Sequence, residues 1–300
     1  MKKHSKLAIA LLVGLPLVTM TSCGGDDPVV EEAIEEVVEE TAAENTTYYQ
    51  IPSPDEMFGF IKESGLAFNG ELLNDIANAD SYTDPKMQAL NFGVYSADLA
   101  YTAAYKEFNE TTKYFATIQK MSEPLGLNSA FDKSLIERAQ ANLGNADSIV
   151  SITNTSYFSI INYLENNEQG DRLGLIASAG WLETVYVTAN TIDYAKDKDA
   201  VDRLADQKLT LDNLLDYLAK YESDASVAEV AAWFKELEAV FAALPEDSED
   251  SGSGISMKKK DNGKMVLGGG GSSVSISEEQ FNAIKDKVNE IRNNIVKTEV

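Results

Sequence analysis

The stretch Ala89-Leu90-Asn91-Phe92-Gly93-Val94-Tyr95-Ser96-Ala97-Asp98-Leu99-Ala100-Tyr101 decides the architecture. It is apolar or small nearly all round, the pattern of a helix buried on every side. Asp84-Pro85 places a capping residue before a proline at the first helical position, so the helix is predicted from Pro85 to about Phe108. With a helical advance of about 100° per residue, Met87, Asn91, Val94, Asp98, Tyr101 and Tyr105 share one face. Asp98 therefore sits on an apolar stripe. A carboxyl group in that position requires a partner, because burying it without one is expensive.

A second helix, predicted from Asp171 to about Tyr194, repeats the situation. Ile176, Gly180, Glu183, Val187, Asn190 and Tyr194 share a face, and Glu183 lies between a glycine and a valine. Each helix has an acid three residues before a tyrosine (Asp98 with Tyr101, Glu183 with Tyr186) and small residues just upstream that let helices approach closely. The identity between the two is too thin to establish a duplication.

Two readings follow. In one, Asp98 and Glu183 are catalytic candidates, a carboxylate pair for acid/base hydrolysis of a glycan. In the other, Asn91, Asp98, Tyr101, Glu183, Tyr186 and Asn190 form a buried polar network and satisfy one another. The second is favoured. Sequence alone leaves open how far apart the carboxylates lie and whether a cleft reaches them.

Outward from these helices the punctuation is helical throughout. Ser53-Pro54-Asp55-Glu56 reads as a cap, a proline and a capping box, with Gly65 closing that helix. Further helices are predicted from Thr111 or Thr112 to near Gly126, from about Asp132 to Leu143, and from Asn145 to Asn167 with Gly170 after it. Residues 198–222 read as one helix or a broken pair, and Ser226 to Leu244 as another, ended by Pro245. Leu211, Leu214, Leu215 and Leu218 show the three- and four-residue spacing that supports this. About 190 residues of linked helices are enough to bury one sizeable core. The fold class is all-α, a multi-helix bundle of roughly eight to ten helices.

A different texture occupies about 246–277. Asp247 to Gly252 is a polar loop, and Asp261-Asn262-Gly263 is a hairpin-turn signal between Ile255–Lys260 and Lys264–Leu267. A small β-hairpin insertion is therefore expected before the last helix, which Ser277 and Gln280 cap and which runs to about Val296. Lys258, Lys259 and Lys260 at the hairpin tip read as protection of an exposed edge in preference to a binding tip. Asp247, Glu249, Ser251 and Gly252 imitate the start of a calcium loop, but Lys258 stands at its twelfth position where glutamate is needed, which excludes an EF-hand.

The N-terminus has the three parts of a secretion signal at 1–22: Lys2, Lys3 and Lys6, then an apolar run from Leu7 to Val18, then small residues. That run is shorter than the ~20 apolar residues needed to span a bilayer. Met20-Thr21-Ser22-Cys23 resembles the lipobox of bacterial lipoproteins, which implies that Cys23 carries the lipid anchor. Gly24-Gly25-Asp26-Asp27 resembles the export signal of Bacteroidota lipoproteins and implies an exposed position on the outer membrane. Residues 23–50, rich in glutamate, read as an acidic flexible tether, and 51–300 as the helical domain.

The chain has 25 basic and 49 acidic residues. Removal of the signal takes three lysines and no acids, leaving 22 against 49 and a net charge of −27. So negative a chain excludes a nucleic-acid partner and electrostatic attachment to anionic lipid. His4 is the only histidine and Cys23 the only cysteine. After cleavage no imidazole and no free thiol remain, which excludes Ser-His-Asp and Cys-His catalysis and histidine-bound metals. No metal site or cofactor is expected. Trp181 and Trp233 lie inside predicted helices and read as core.

Ala89 to Tyr101, together with Leu173 to Tyr186 and Gln207 to Asp224, resembles uncharacterised lipoproteins of Bacteroidota. The resemblance covers most of 51–300 and implies a helical, membrane-anchored protein, with no activity to carry over. The expected function is a lipid-anchored envelope module that binds or scaffolds without catalysis. A protein or glycan of the envelope is the expected partner, and the membrane is reached through the lipid. Glycan hydrolysis by Asp98 and Glu183, or capture of a small nutrient between helices, are the alternatives.

Overall fold

The computed structural model describes residues 53–130, 137–139, 141–142, 146–243, 256–259, 265–268 and 276–298. The signal at 1–22, Cys23, the tether at 23–50 and most of the helix expected at 132–143 lie outside the described residues. So do the polar loop from Asp247 to Gly252 and the Asp261-Asn262-Gly263 turn.

In chain order the helices are α1 (Pro54–Glu63), α2 (Pro85–Ala104), α3 (Phe108–Ser122), α4 (Ala146–Asn166) and α5 (Gly170–Thr191). They continue as α6 (Lys198–Ala205), α7 (Gln207–Ala219), α8 (Ala225–Ala242) and α9 (Glu278–Val296). Short 3-10 turns occupy Gly70–Leu72, Ile76–Ser81 and Asn128–Ala130. The architecture is a helical bundle.

Local chemistry explains most of the boundaries. Asp84 accepts hydrogen bonds from the backbone N–H groups of Lys86 and Met87 at 3.0 and 3.1 Å, with Pro85 at the first helical position of α2. Ser277 and Gln280 form the reciprocal capping box of α9. Ser53 does not cap α1 as its sequence suggests. Its hydroxyl instead turns to Asp55 and donates to that carboxylate, and no backbone N–H of the first turn reaches its oxygen. The stretch 198–222 is the broken pair, interrupted at Asp206 between α6 and α7.

α1 and α3 close with Gly65 and Gly126 in the left-handed region, φ 84° and 68°. At Gly65 the Leu66 N–H reaches back to the Ile61 carbonyl, and at Gly126 the Leu127 N–H reaches Ser122. α2 and α4 use the same closure with Lys106 and Glu168, at φ 65° and 56°. α2 consequently stops at Ala104, short of the Phe108 that periodicity suggests. Gly170 is not a helix terminator. It opens α5, and a Cβ there would lie 2.0 Å from the Tyr221 hydroxyl oxygen, so any larger residue requires that ring to move.

α2 and α5 are the spine. Every residue from Ala89 to Ala103 except Ser96 is buried, and so is every residue from Leu173 to Ala189 except Tyr186. The most extensive helix contact in the molecule joins these two. α1, α3 and α4 pack on α2, while α7, α8 and α9 pack around α5. Trp181 and Phe234 meet in the core at 5.7 Å between ring centroids.

The hairpin expected as an insertion at about 246–277 is not supported as part of this fold. Two four-residue runs, Ser256–Lys259 and Met265–Gly268, pair antiparallel with each other, from Ser256 opposite Gly268 to Lys259 opposite Met265, and with no third strand. A two-stranded ribbon of this length is marginal in water without a further strand or a helix to pack on.

The helix contact at Gly93 generates the first prediction. A Cβ on Gly93 would come 2.2 Å from the Ile176 carbonyl oxygen, whereas one on Gly180 meets nothing nearer than the Gly93 carbonyl at 3.3 Å. Alanine is the better helix former by about 1 kcal/mol. That gain offsets the tight fit at Gly180 but not at Gly93. Denaturant unfolding should show Gly93→Ala losing about 1–3 kcal/mol and Gly180→Ala close to neutral. Replacing Lys106 or Glu168 by glycine should instead raise stability, by about 0.5–1 kcal/mol each, because a Cβ in the left-handed region is strained.

Candidate functional site

The Gly93–Gly180 contact sets the distance between α2 and α5. From it, Asp98 lies five residues along one helix and Glu183 three residues along the other, and their carboxyl groups face each other. Both residues are fully buried, at 0% exposure.

α9 brings the cation. Its buried face is Phe281, Ile284, Val288, Ile291 and Ile295, and Arg292 lies on that same face. Arg292 Nε donates to Glu183 Oε2 and Nη2 to Oε1, both at 3.0 Å, a two-pronged pairing that satisfies the carboxylate. Nη2 also donates to the Leu72 carbonyl at 3.1 Å, and the guanidinium lies 4.5 Å from the centroid of the Tyr186 ring.

Asp98 is held differently. Its Oδ2 accepts from the backbone N–H of Asn74 at 3.1 Å. No N–H or hydroxyl reaches Oδ1, which is buried without a hydrogen-bond partner, and the Glu183 side chain lies beside Asp98. A hydrogen bond between two carboxyl groups needs a proton on one of them. Burial pushes the Asp98 carboxyl well above its usual range, and the neighbouring Glu183 charge pushes it further. Arg292 and the Asn74 N–H act against that rise. Burial also raises Glu183, while the charge and two hydrogen bonds of Arg292 pull it back. Burial disfavours the charge on Arg292, but Glu183 more than compensates and holds it protonated.

A clamp of amides and hydroxyls surrounds the trio. Asn74 Nδ2 donates to Asn91 Oδ1 at 3.2 Å and to the Tyr82 hydroxyl at 3.1 Å, and the Asn74 carbonyl accepts from the Tyr114 hydroxyl at 3.0 Å. Asn91 Nδ2 donates to the Ile295 carbonyl at 2.8 Å, and the Tyr82 hydroxyl to the Val296 carbonyl at 2.9 Å. These two bonds satisfy carbonyls at the C-terminal end of α9, which have no partner within the helix.

Of the six residues expected in a network, Asn91, Asp98 and Glu183 meet in one place. Tyr186 contributes its ring face to Arg292. Tyr101 lies elsewhere, its hydroxyl accepting from the Asn69 N–H at 2.9 Å among Phe58, Phe68 and Tyr105. Asn190 ties α5 to α9 through Asn289 at 2.8 Å without touching the carboxyls. Arg292 and Asn74 went unnoticed in the sequence. The first had a signal, a lone arginine on the apolar stripe of α9. The second had none, since Asn74 sits between two 3-10 turns where no periodicity operates.

None of three cavities among the described residues reaches the trio. The largest, about 340 Å³, lies between α1, α4 and the C-terminal end of α2, lined by Asp55, Lys62, Glu63, Ala100, Ala103 and Asn154 among others. Two small apolar ones of about 30 and 20 Å³ lie deeper against α4. Neither Asp98 nor Glu183 lines any of the three. Among the described residues no group of acids, histidines and cysteines is arranged to hold a metal, and no helix is long and apolar enough to cross a membrane.

No known family model matches the chain, and neither does any curated protein or solved structure. Its chemistry therefore rests on its own residues. Arg292→Met should lower stability by about 3–5 kcal/mol by leaving Glu183 buried without its cation. Adding Glu183→Gln to that variant should recover a substantial part of the loss, a recovery that denaturant unfolding of the two variants measures.

Proposed function

We propose that this chain is a lipid-anchored, non-enzymatic binding or scaffolding protein on the exposed face of a bacterial outer membrane, of the kind seen in the Bacteroidota lipoproteins it resembles. The observation that carries the non-enzymatic reading is the closure of Asp98 and Glu183. Both Glu183 oxygens are taken up by Arg292 and Asp98 Oδ2 by the Asn74 N–H, and neither acid is exposed to solvent. A glycosidase pair needs one carboxyl free to protonate a leaving group and room for a sugar ring between the two. Glycan hydrolysis by this pair is accordingly the weaker alternative.

Imidazole and thiol chemistry offers no replacement. Beyond residue 23 the chain has no histidine and no cysteine. Capture of a small nutrient is weaker too, because the largest cavity has no aromatic wall and its rim carries charges of both signs. The excess of acid over base supports a role in water outside the cell, where self-repulsion keeps the chain soluble. Anchoring rests on Cys23. Several acyl chains, at about 0.8 kcal/mol per buried CH₂, would hold the protein firmly to a bilayer.

Two measurements test the proposal. In cells fed labelled palmitate, the wild-type chain should take up label and fractionate with the outer membrane, and Cys23→Ser should do neither. Purified chain incubated with envelope glycan should release no more product than buffer. Release that disappears in Asp98→Asn would establish the hydrolase instead.

A further inference from the structure

We propose that Asp98, Glu183 and Arg292 form a one-proton latch. A single proton held between the two carboxyl groups keeps α9 and the Asn69–Tyr82 segment seated on α2 and α5, and its loss weakens that seating.

The argument begins with a charge count. Two carboxyl groups at 0% exposure share one guanidinium, whose side chain is itself 10% exposed. Ionised together they would leave one uncompensated negative charge in the core, which is a large penalty in a medium of low polarisability. One proton removes it. The geometry says where that proton resides. Both Glu183 oxygens receive from Arg292, while Asp98 Oδ1 receives from no donor and faces Glu183. Asp98 is therefore the acid and Glu183 the acceptor.

The segments bound to the trio are α9 and Asn69–Tyr82, the latter also tied to the bundle by the Tyr114 hydroxyl on the Asn74 carbonyl and the Tyr95 hydroxyl on the Asp75 carbonyl. The Asn74 N–H rests on Asp98, and the Leu72 carbonyl on Arg292. Arg292 belongs to α9, and the last carbonyls of α9 rest on Asn91 and on Tyr82, which Asn74 also holds. Ionising Asp98 sets a carboxylate against Glu183 at the point where all these bonds converge.

The groups facing Asp98 from each packed element are accounted for. α5 supplies Glu183 and, farther off, Tyr186, while α9 supplies Arg292. α3 supplies Tyr114, and the 69–82 segment supplies Asn74 and Tyr82, with Asp75 beyond. Tyr95 comes from α2 itself. α1 sends its Lys62 to the Ala104 carbonyl at the far end of α2, and Asn154 of α4 bonds Asp55 of α1. Burial raises these four tyrosines, so they stay neutral across the pH range that matters. Arg292 is the one cation among these groups, and it is already committed to Glu183.

The direction with pH follows from linkage. An unfolded aspartate titrates near pH ~3.9. In the folded chain Asp98 holds its proton to higher pH, so the folded state binds more protons between the two values. The stabilisation is complete below about pH 4 and is lost as pH rises through the raised value. Over that interval one linked proton shifts the equilibrium up to tenfold per pH unit. The chain's general negative charge acts in the same sense, so the diagnostic quantity is the difference from a variant that needs no proton. Asp98→Asn is that variant: its amide donates to Glu183 and its carbonyl accepts from Asn74 with no titration.

The experiment is native-state amide exchange of the full chain between about pH 5 and 8, corrected for intrinsic rates, alongside infrared spectra. In wild type, the opening constant of amides in α9 and Asn69–Tyr82 should rise with pH more steeply than in Asp98→Asn, by up to tenfold per unit. Native wild type at neutral pH should show the carbonyl stretch of a protonated carboxylic acid, and unfolding or Asp98→Asn should abolish it. Parallel exchange profiles for the two proteins would overturn the latch. So would absence of the protonated-acid band in native wild type, a result that stands even if Asp98→Asn fails to fold.

Discussion

Two acids and one base in a space that excludes water impose a condition on the rest of the chain. The charges must sum to zero, and every polar atom around them must be matched. Glu183 and Arg292 meet the first demand as a pair, and a protonated Asp98 joins them without adding charge. The second demand recruits Asn74, Asn91, Tyr82 and Tyr114, and through them the backbone at Asn74 and at Ile295 and Val296. Apolar residues of similar volume would fill the same space at no electrostatic risk. What the polar cluster adds is direction, since α9 can satisfy Glu183 only with Arg292 in this register.

The glycine contact is the mechanical counterpart of that condition. With backbone against backbone at Gly93, no side chain adjusts the separation of α2 and α5, and the two buried carboxyls are held side by side. The acids are thus kept together by the same residues that keep solvent out. This closure favours a structural role for the pair, and it leaves the groove beside α1 and the acidic outer surface as the faces open to a partner.

Much of the helical frame was legible because its signals are local. Asp84-Pro85, Ser277 with Gln280, Gly65 and Gly126 each act within a turn of their own position. The buried character of α2 and α5 was legible too, since both lack a polar face. Signals that depend on distant neighbours misled. Gly170 looked like a terminator because its reason, the Tyr221 hydroxyl, lies far along the chain. Ser53 looked like a cap because nothing in the spacing reports that its hydroxyl turns to Asp55. The site was half legible. The apolar stripes exposed Asp98 and Glu183 as acids in need of partners, and Asn91 shares a face with Asp98. Arg292 comes from a helix more than a hundred residues away, and Asn74 from a segment without periodicity. Helical spacing on one element also suggested Tyr101 and Asn190, but sharing a face does not place two side chains in contact when they point to different neighbours.

The bonds that close the polar cluster join residues at opposite ends of the domain. Asn91 to Ile295 spans 204 positions, Tyr82 to Val296 spans 214, and Arg292 to Leu72 spans 220. The two spine helices are made long before the cation that neutralises them. Until α9 has been synthesised, Glu183 has no counter-charge and its burial is opposed. Contacts of such long range also form slowly, because the loop entropy is lost before they are gained. The polar cluster consequently closes only when α9 joins α2 and α5, and Arg292 is the piece that completes it.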